Sequence, residues 1–426
     1  MVIENSNIYS LRFWIHWYFI ALVLAPFVCF VDYYTVFQGF DRIYGGTMVI
    51  IALLLLIGRD SGNLVLRNYI PVGLILAAYY LTWDVVLWQN MIARKGIYYE
   101  FLLNRTLQAV ALLFVVDNIV FSRKLIDTLM VLMKGLVVVG AVVSLIQIIH
   151  DPFFFAPENF QEFMLSYRWG TDPLQVRRLS IFGFTDVDDV GLSFLPIFAL
   201  ITAYEVKEKG RIPIVIMLLA FFIAVVNNSR YIQVGYFIAA APALFYQGRV
   251  LRNALVSMAG LVVLVLLMGL VLQLVGYDLE RYIDERLLAE TAGTRLLALE
   301  IFLQFFPDNP FFGTGVHLTD EVVVALAERS SQIHVGYLAH LFSYGIVGTF
   351  LVLMFWGFIA RRLWKVARRT GFYGSFFGFM VFLWTNVTLV FYWVFTFGLA
   401  LCFLFASYYD TKEEDEPSRD NKKAIY

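Results

Sequence analysis

The chain has 426 residues, of which 60% are hydrophobic and 15% charged, with a mean hydropathy of +0.74. A soluble domain carries about a quarter charged residues, so this composition excludes an ordinary globular protein and makes lipid the solvent for much of the chain. The formal net charge of −1 provides no overall basic field for nucleic acid.

A membrane-spanning helix needs about 20 mainly apolar residues. Such stretches fall at about 11–31, 41–58, 69–90, 100–120, 125–150, 179–204, 212–226, 230–247, 253–275, 334–360, 372–388 and 391–409. The predicted fold class is therefore all-α integral membrane, with about twelve transmembrane helices filling residues 1–410. The opening run carries Trp14, Trp17, Tyr18 and Phe19. It lacks a short apolar core ending at a small-residue cleavage site, and reads as a first span rather than a signal peptide. The last two spans share one apolar stretch from Phe372 to Tyr409, too long for one span. Cys29 and Cys402 both lie in apolar runs and read as small buried hydrophobes, with no disulfide, metal or redox site.

Lys and Arg set the orientation. With the N-terminus inside, the inner loops hold Arg59 and Arg67; Arg123 and Lys124; Lys207, Lys209 and Arg211; Arg249 and Arg252; and Arg361, Arg362, Lys365, Arg368 and Arg369. Both termini are then cytoplasmic, and residues 411–426, charged and containing Pro417, read as a disordered tail. Two outer loops of real size result, about 151–178 and 276–333. The second has helical patterning, with Leu279, Tyr282, Ile283 and Leu287 in one segment and a more apolar helix over 294–306 ended by Pro307-Asp308-Asn309-Pro310. Long structured loops are where function concentrates.

Ionisable groups at membrane depth need a partner or a watery cavity. Asp84, late in the third span, and Arg105, early in the fourth, read either as an ion pair joining two helices or as groups of the site. Arg230 follows Asn227-Asn228-Ser229, where Asn228 or Ser229 suits an N-cap. The free N–H groups and positive dipole of a helix start, joined by a guanidinium, make an anion site; the plainer alternative is an arginine snorkelling to the interface. Arg295 repeats the device after Gly293-Thr294, and could equally be a solvated residue of a surface helix. Two such helix starts on one face suit a diphosphate. His334 opens the tenth span, where an imidazole suits proton transfer or serves only structurally. Arg178 leads the sixth span, followed by Asp186, Asp188 and Asp189, which either pair with nearby arginines or offer a carboxylate that serves as a base or holds an acceptor hydroxyl. Tyr337 reads as an interfacial aromatic anchor, and His317 and His340 are weaker candidates. No spacing suits a metal site, and no Walker loop or dinucleotide fingerprint occurs. An outer-face reaction would need a donor activated before it crosses the membrane.

Three segments together resemble the O-antigen ligase and O-antigen polymerase superfamily of membrane glycosyltransferases: Arg178-Leu-Ser-Ile-Phe-Gly; Asn228-Ser229-Arg230; and Thr294-Arg295-Leu through Pro310-Phe311-Phe312-Gly313-Thr314-Gly315 and His334-Val-Gly-Tyr337-Leu338 to Gly345-Ile-Val-Gly348. Order and spacing agree over about 178–350. The resemblance implies a GT-C-like fold in a bacterial inner membrane and a metal-independent, inverting transfer at the periplasmic face, without a cofactor. It implies an undecaprenyl-diphosphate-linked oligosaccharide donor and a glycan or lipid A core acceptor, with a chain-length regulator protein as a further partner. Arg230 and Arg295 would bind the diphosphate, and His334 would act on the acceptor hydroxyl or orient the leaving phosphate. Where family members often place Asn after the His, this chain has Val335. A polymerase, a ligase to lipid A core and a branch that transfers glycan to protein share these motifs; a polymerase is preferred, since no added domain suits a protein acceptor. A transporter or flippase of an anionic lipid or solute is the alternative of another class; no paired broken helices in matching halves mark it.

Overall fold

A computed structural model of the chain describes residues 13–24, 38–58, 64–91, 105–156, 161–162, 176–183, 187–256, 259–260, 262, 269, 293–313, 335–387 and 397–415. Among these residues all regular structure is helical. In chain order the helices are α1 (Phe13–Leu24), α2 (Gln38–Gly58), α3 (Tyr69–Met91), α4 (Arg105–Asn118), α5 (Arg123–Ile149), α6 (Val187–Glu208), α7 (Ile214–Val226), α8 (Arg230–Ala240), α9 (Gly293–Phe305), α10 (Gly336–Thr370), α11 (Gly374–Thr385) and α12 (Phe397–Asp415). Of the described helices, those at Arg123–Ile149, Val190–Glu208 and Gly336–Thr370 are long and apolar enough to cross a membrane, and several shorter apolar helices accompany them. The ninth expected span and the segment around 278–290 lie mostly or wholly outside the described residues, as does Cys29.

α6 is the hub. It is apolar on nearly every side and packs against α8, α11 and α12. Small residues permit the close approach: a Cβ on Gly374 would come within 2.8 Å of Ala203, and one on Gly398 within 2.5 Å of the Leu192 carbonyl. Against this hub, α3 runs antiparallel to α10, α4 packs on α2 and α3, and α5 packs on α7. Ser122 caps α5 by accepting from the Leu125 N–H at 3.3 Å.

Three boundaries differ from the hydropathy reading. Residues 176–183 form a non-helical segment on the end of α5, ahead of α6 at Val187–Glu208. Ser180 takes a left-handed φ of 55°, its N–H donates to Gln147 Oε1 at 3.1 Å, and its hydroxyl donates to the Gly140 carbonyl at 2.6 Å. α10 runs ten residues past Ala360 and carries the expected basic loop as helix. It ends where Gly371, at φ 73°, sends its N–H back to the Ala367 carbonyl. α12 continues to Asp415, into the segment expected as a tail, held by Arg67 and Arg369 on Asp410.

The basic segments expected on one face do meet. Arg67 binds Asp410 at 3.0 Å, and Arg369 binds the same carboxylate. Lys207 donates to the Thr370 carbonyl, and Arg123 reaches Glu208 at 2.6 Å. Behind them Asp117, its side chain fully buried, pairs with Arg362 and accepts from the Tyr69 hydroxyl. This is the basic end of the bundle.

Candidate functional site

The antiparallel register of α3 and α10 fixes what lies at the other end. Tyr69 contacts Arg362, Gly73 faces Phe355, Tyr79 donates to the Tyr344 carbonyl at 2.8 Å, and Tyr80 meets His340 Nε2 at 2.5 Å. One turn beyond Tyr80, the backbone of Asp84 reaches the level of the first residues of α10. α4, antiparallel to α3 through the Tyr69–Asp117 contact, carries Arg105 as its opening residue to the same end. The side chains of Asp84 and Arg105 lie outside the described parts.

The C-terminal turn of α11 joins three helix starts. Trp384 donates from Nε1 to the Tyr231 carbonyl at 2.8 Å, next to Arg230 in the first turn of α8. Tyr337, in the first turn of α10, donates to the Leu383 carbonyl at 2.7 Å. Gly191, in the first turns of α6, lies so close that a Cβ there would come within 2.8 Å of Tyr231 and 3.3 Å of Thr385. Asp188 and Asp189 precede it on the same helix start, where carboxylates suit the dipole. α6, α8 and α10 therefore present their N-termini around one turn, and the starts of α8 and α10, with no acidic residue in their first turns, favour an anion.

Ser229 occupies the N-cap position of α8 in an extended conformation, without a side-chain cap hydrogen bond. Asn228 supplies the preceding bend at φ 59°, a conformation asparagine tolerates. Asn227 is fully buried and donates from Nδ2 to the Arg178 carbonyl at 3.1 Å. Its Oδ1 has no hydrogen-bond partner among the described residues. Arg178 is itself buried; its guanidinium donates to the carbonyls of Gln147 at 3.3 Å and Val176 at 3.4 Å. Arg230 is exposed. Of these two arginines, Arg230 is the exposed one, while Arg178 braces the segment beside it.

The stretch from α9 to α10 makes a second device. Ile301, Phe302 and Phe305 pack with Phe342, so that α9, whose first turn holds Arg295, is seated on the beginning of α10. The chain then passes through a 3-10 turn at Phe306–Asp308 and meets α10 at a break. Gly345 has φ 64° and ψ −171°, a conformation open in practice to glycine alone. The break removes the helical acceptors of the next N–H groups. Ile346 donates instead to the Pro310 carbonyl at 2.9 Å and Val347 to the Phe311 carbonyl at 3.0 Å. Gly313, at φ 81°, lies back to back with Gly345.

His334 and Asp186 lie outside the described residues, as do the side chains of Asp188, Asp189 and Arg295. His334 directly precedes Val335, the N-cap of α10. Sequence reasoning passed over Trp384, Gln147 and Tyr80, and named His340 only as a weaker candidate. Trp384 sits in an unbroken aromatic stretch with no signal of its own. Gln147, an amide inside an apolar span, was the available sign, since such a group must find partners. It donates to the Phe154 carbonyl at 2.6 Å. Among the described residues no three His, Cys, Asp or Glu side chains converge as metal ligands would.

Residues 215–353 match the family model described as O-Antigen ligase. The matched stretch runs from α7 to the middle of α10 and takes in Arg230, Arg295, His334, Tyr337 and the Gly313–Gly345 contact. No curated protein matches the chain. The match supports the O-antigen ligase and polymerase superfamily. With the apolar helices it supports a membrane protein of polysaccharide biosynthesis with glycosyltransferase-like ligase or polymerase activity.

Proposed function

We propose that the chain is a bacterial inner-membrane polymerase of surface polysaccharide, taking glycan from an undecaprenyl-diphosphate donor at the periplasmic face. The observation that carries this reading is the placement of Arg230 and Tyr337 at two helix starts joined through α11, inside the stretch matched to the O-antigen ligase family. The donor diphosphate lies against the N-terminus of α8 at Arg230 and of α9 at Arg295. The acceptor hydroxyl attacks the anomeric carbon from the opposite side, the bond from that carbon to the phosphate oxygen breaks, and His334 takes the hydroxyl proton. Undecaprenyl diphosphate leaves, and the arginines and helix N-termini stabilise its growing charge, the part a metal would otherwise play. Asp188 and Asp189 orient the acceptor from the start of α6. Transfer to lipid A core by the same groups is the second reading, favoured by the description of the matched family.

Purified protein in lipid, incubated with an undecaprenyl-diphosphate oligosaccharide of its host and no nucleotide or metal, tests both. A ladder of lengthened glycan that vanishes in Arg295→Ala supports the polymerase. Product formed only after lipid A core is added replaces it with the ligase. Unchanged donor in both reactions, or full activity of both Arg230→Ala and Arg295→Ala, overturns the assignment.

A further inference from the structure

At the basic end, about as far from the candidate site as the bundle allows, lies a cavity of about 540 Å³ that no step of the proposed transfer uses. Its wall is a stripe of α10: Arg361, Lys365 and Arg369 recur every fourth residue and so share one face, beside Arg362. Arg67, just before α3, closes the opposite side. Like charges at that spacing disfavour a helix unless something answers them. Two carboxylates answer in part. Asp410 takes Arg67 and Arg369, and buried Asp117 takes Arg362 with Arg67 at 3.5 Å. Arg361 and Lys365 are exposed, and neither has a carboxylate at ion-pair distance among the described residues. Among the described side chains, five cations thus surround a space next to two carboxylates, a net excess of three positive charges.

We infer that this cavity binds a phosphate-bearing anion, the headgroup of an anionic phospholipid in the leaflet at the basic end. Arginine forks match phosphate oxygens two at a time, and the cavity is of the size that holds a small ligand. Two features favour a lipid over a free phosphate. Leu66, 65% exposed, and Val65, 44% exposed, directly precede Arg67 and offer apolar surface beside the charges. Phe358 lines the cavity on the side toward the long apolar run of α10, where an acyl chain would lie. That the leaflet is the cytoplasmic one rests on the orientation proposed above; the site itself does not. The ion pairs to Asp117 and Asp410 hold the wall in shape, so the lipid would act as a clamp across α3, α10 and α12.

The test is native mass spectrometry of the full-length protein titrated with phosphatidylglycerol or cardiolipin, with phosphatidylcholine for comparison, at physiological salt. Arg361→Gln with Lys365→Gln removes two cations that carry no described ion pair and should leave folding intact, checked by an unchanged thermal midpoint. Each basic residue near an anionic headgroup contributes enough that the pair should weaken anionic-lipid retention about thirtyfold. Arg249→Gln with Arg252→Gln, exposed basic residues outside the cavity, should leave it unchanged. Equal retention in the first variant, equal loss in the second, or no preference over phosphatidylcholine would overturn the inference. Displacement of bound lipid by millimolar inorganic phosphate would overturn the lipid and leave a free-phosphate site. None of these outcomes depends on glycan transfer, so the polymerase reading can fail without touching this one.

Discussion

Replacing Gly345 by alanine should unseat the loop that carries α9 and, with it, disturb the candidate diphosphate site. Two costs add. The conformation at φ 64°, ψ −171° costs a residue with a Cβ on the order of 1–3 kcal/mol. That Cβ would also stand 2.5 Å from the Phe311 carbonyl carbon, so loop and helix must part. Parting breaks the bonds from Ile346 and Val347 to Pro310 and Phe311, about 1 kcal/mol each and more if the N–H groups stay dry. The sum is about 3–5 kcal/mol, most of it local to the loop. Gly357→Ala on the same helix is the control, since nothing lies within 4 Å of its Cβ and alanine favours helix by about 1 kcal/mol. Thermal unfolding of the purified proteins, read beside glycan transfer, should show Gly345→Ala with a lower midpoint and strongly reduced transfer. Gly357→Ala should be equal to the parent or slightly more stable, with full transfer. A Gly345→Ala protein matching the parent in both readouts would refute the account of the break.

Trp384→Phe deletes the donor to the Tyr231 carbonyl but keeps the ring, so it should cost about 1 kcal/mol of stability and lower transfer by shifting Arg230; unchanged transfer in a purified assay would separate the α11 turn from the site. Tyr80→Phe leaves buried His340 without its partner at Nε2 and should destabilise by about 1–3 kcal/mol, seen as a lower thermal midpoint. Asp117→Leu strands the buried Arg362 and should cost about 3–5 kcal/mol, whereas Asp117→Leu with Arg362→Met removes both charges and should recover most of it; a double variant as unstable as the single would show that the pair does not act as a unit.

Hydropathy placed most helices well because lipid or a dry core imposes the same apolar demand along a whole segment. It failed where a local hydrogen bond overrides that demand. Residues 179–183 are as apolar as a span, yet Gln147 and Gly140 capture Ser180 in a left-handed bend and these residues stay out of the helix. The break at Gly345 was invisible for a like reason, since a glycine in an apolar run signals neither its φ nor the loop that will fill the gap. The basic stripe after Ala360 reads as a loop by charge alone, although its four-residue spacing is helical throughout. The start of α8 at Arg230 was legible because Asn-Asn-Ser before an apolar run signals a helix start. Trp384 was not legible, because its importance lies in reaching a carbonyl some 150 residues away in sequence.

The burial of α6 has a consequence for how the protein is made. Its Val190–Glu208 stretch is less apolar than Arg123–Ile149 or the stretch in α10. Flanked by two aspartates and interrupted by Ser193, Pro196 and Thr202, it is the least willing of the three to enter lipid unaided. In the finished bundle this hardly matters, because α8, α11 and α12 surround it. All three are synthesised later. A nascent chain that has reached only Glu208 therefore holds a helix whose natural solvent does not yet exist, and the insertion of α6 becomes secure only as the C-terminal half arrives to enclose it.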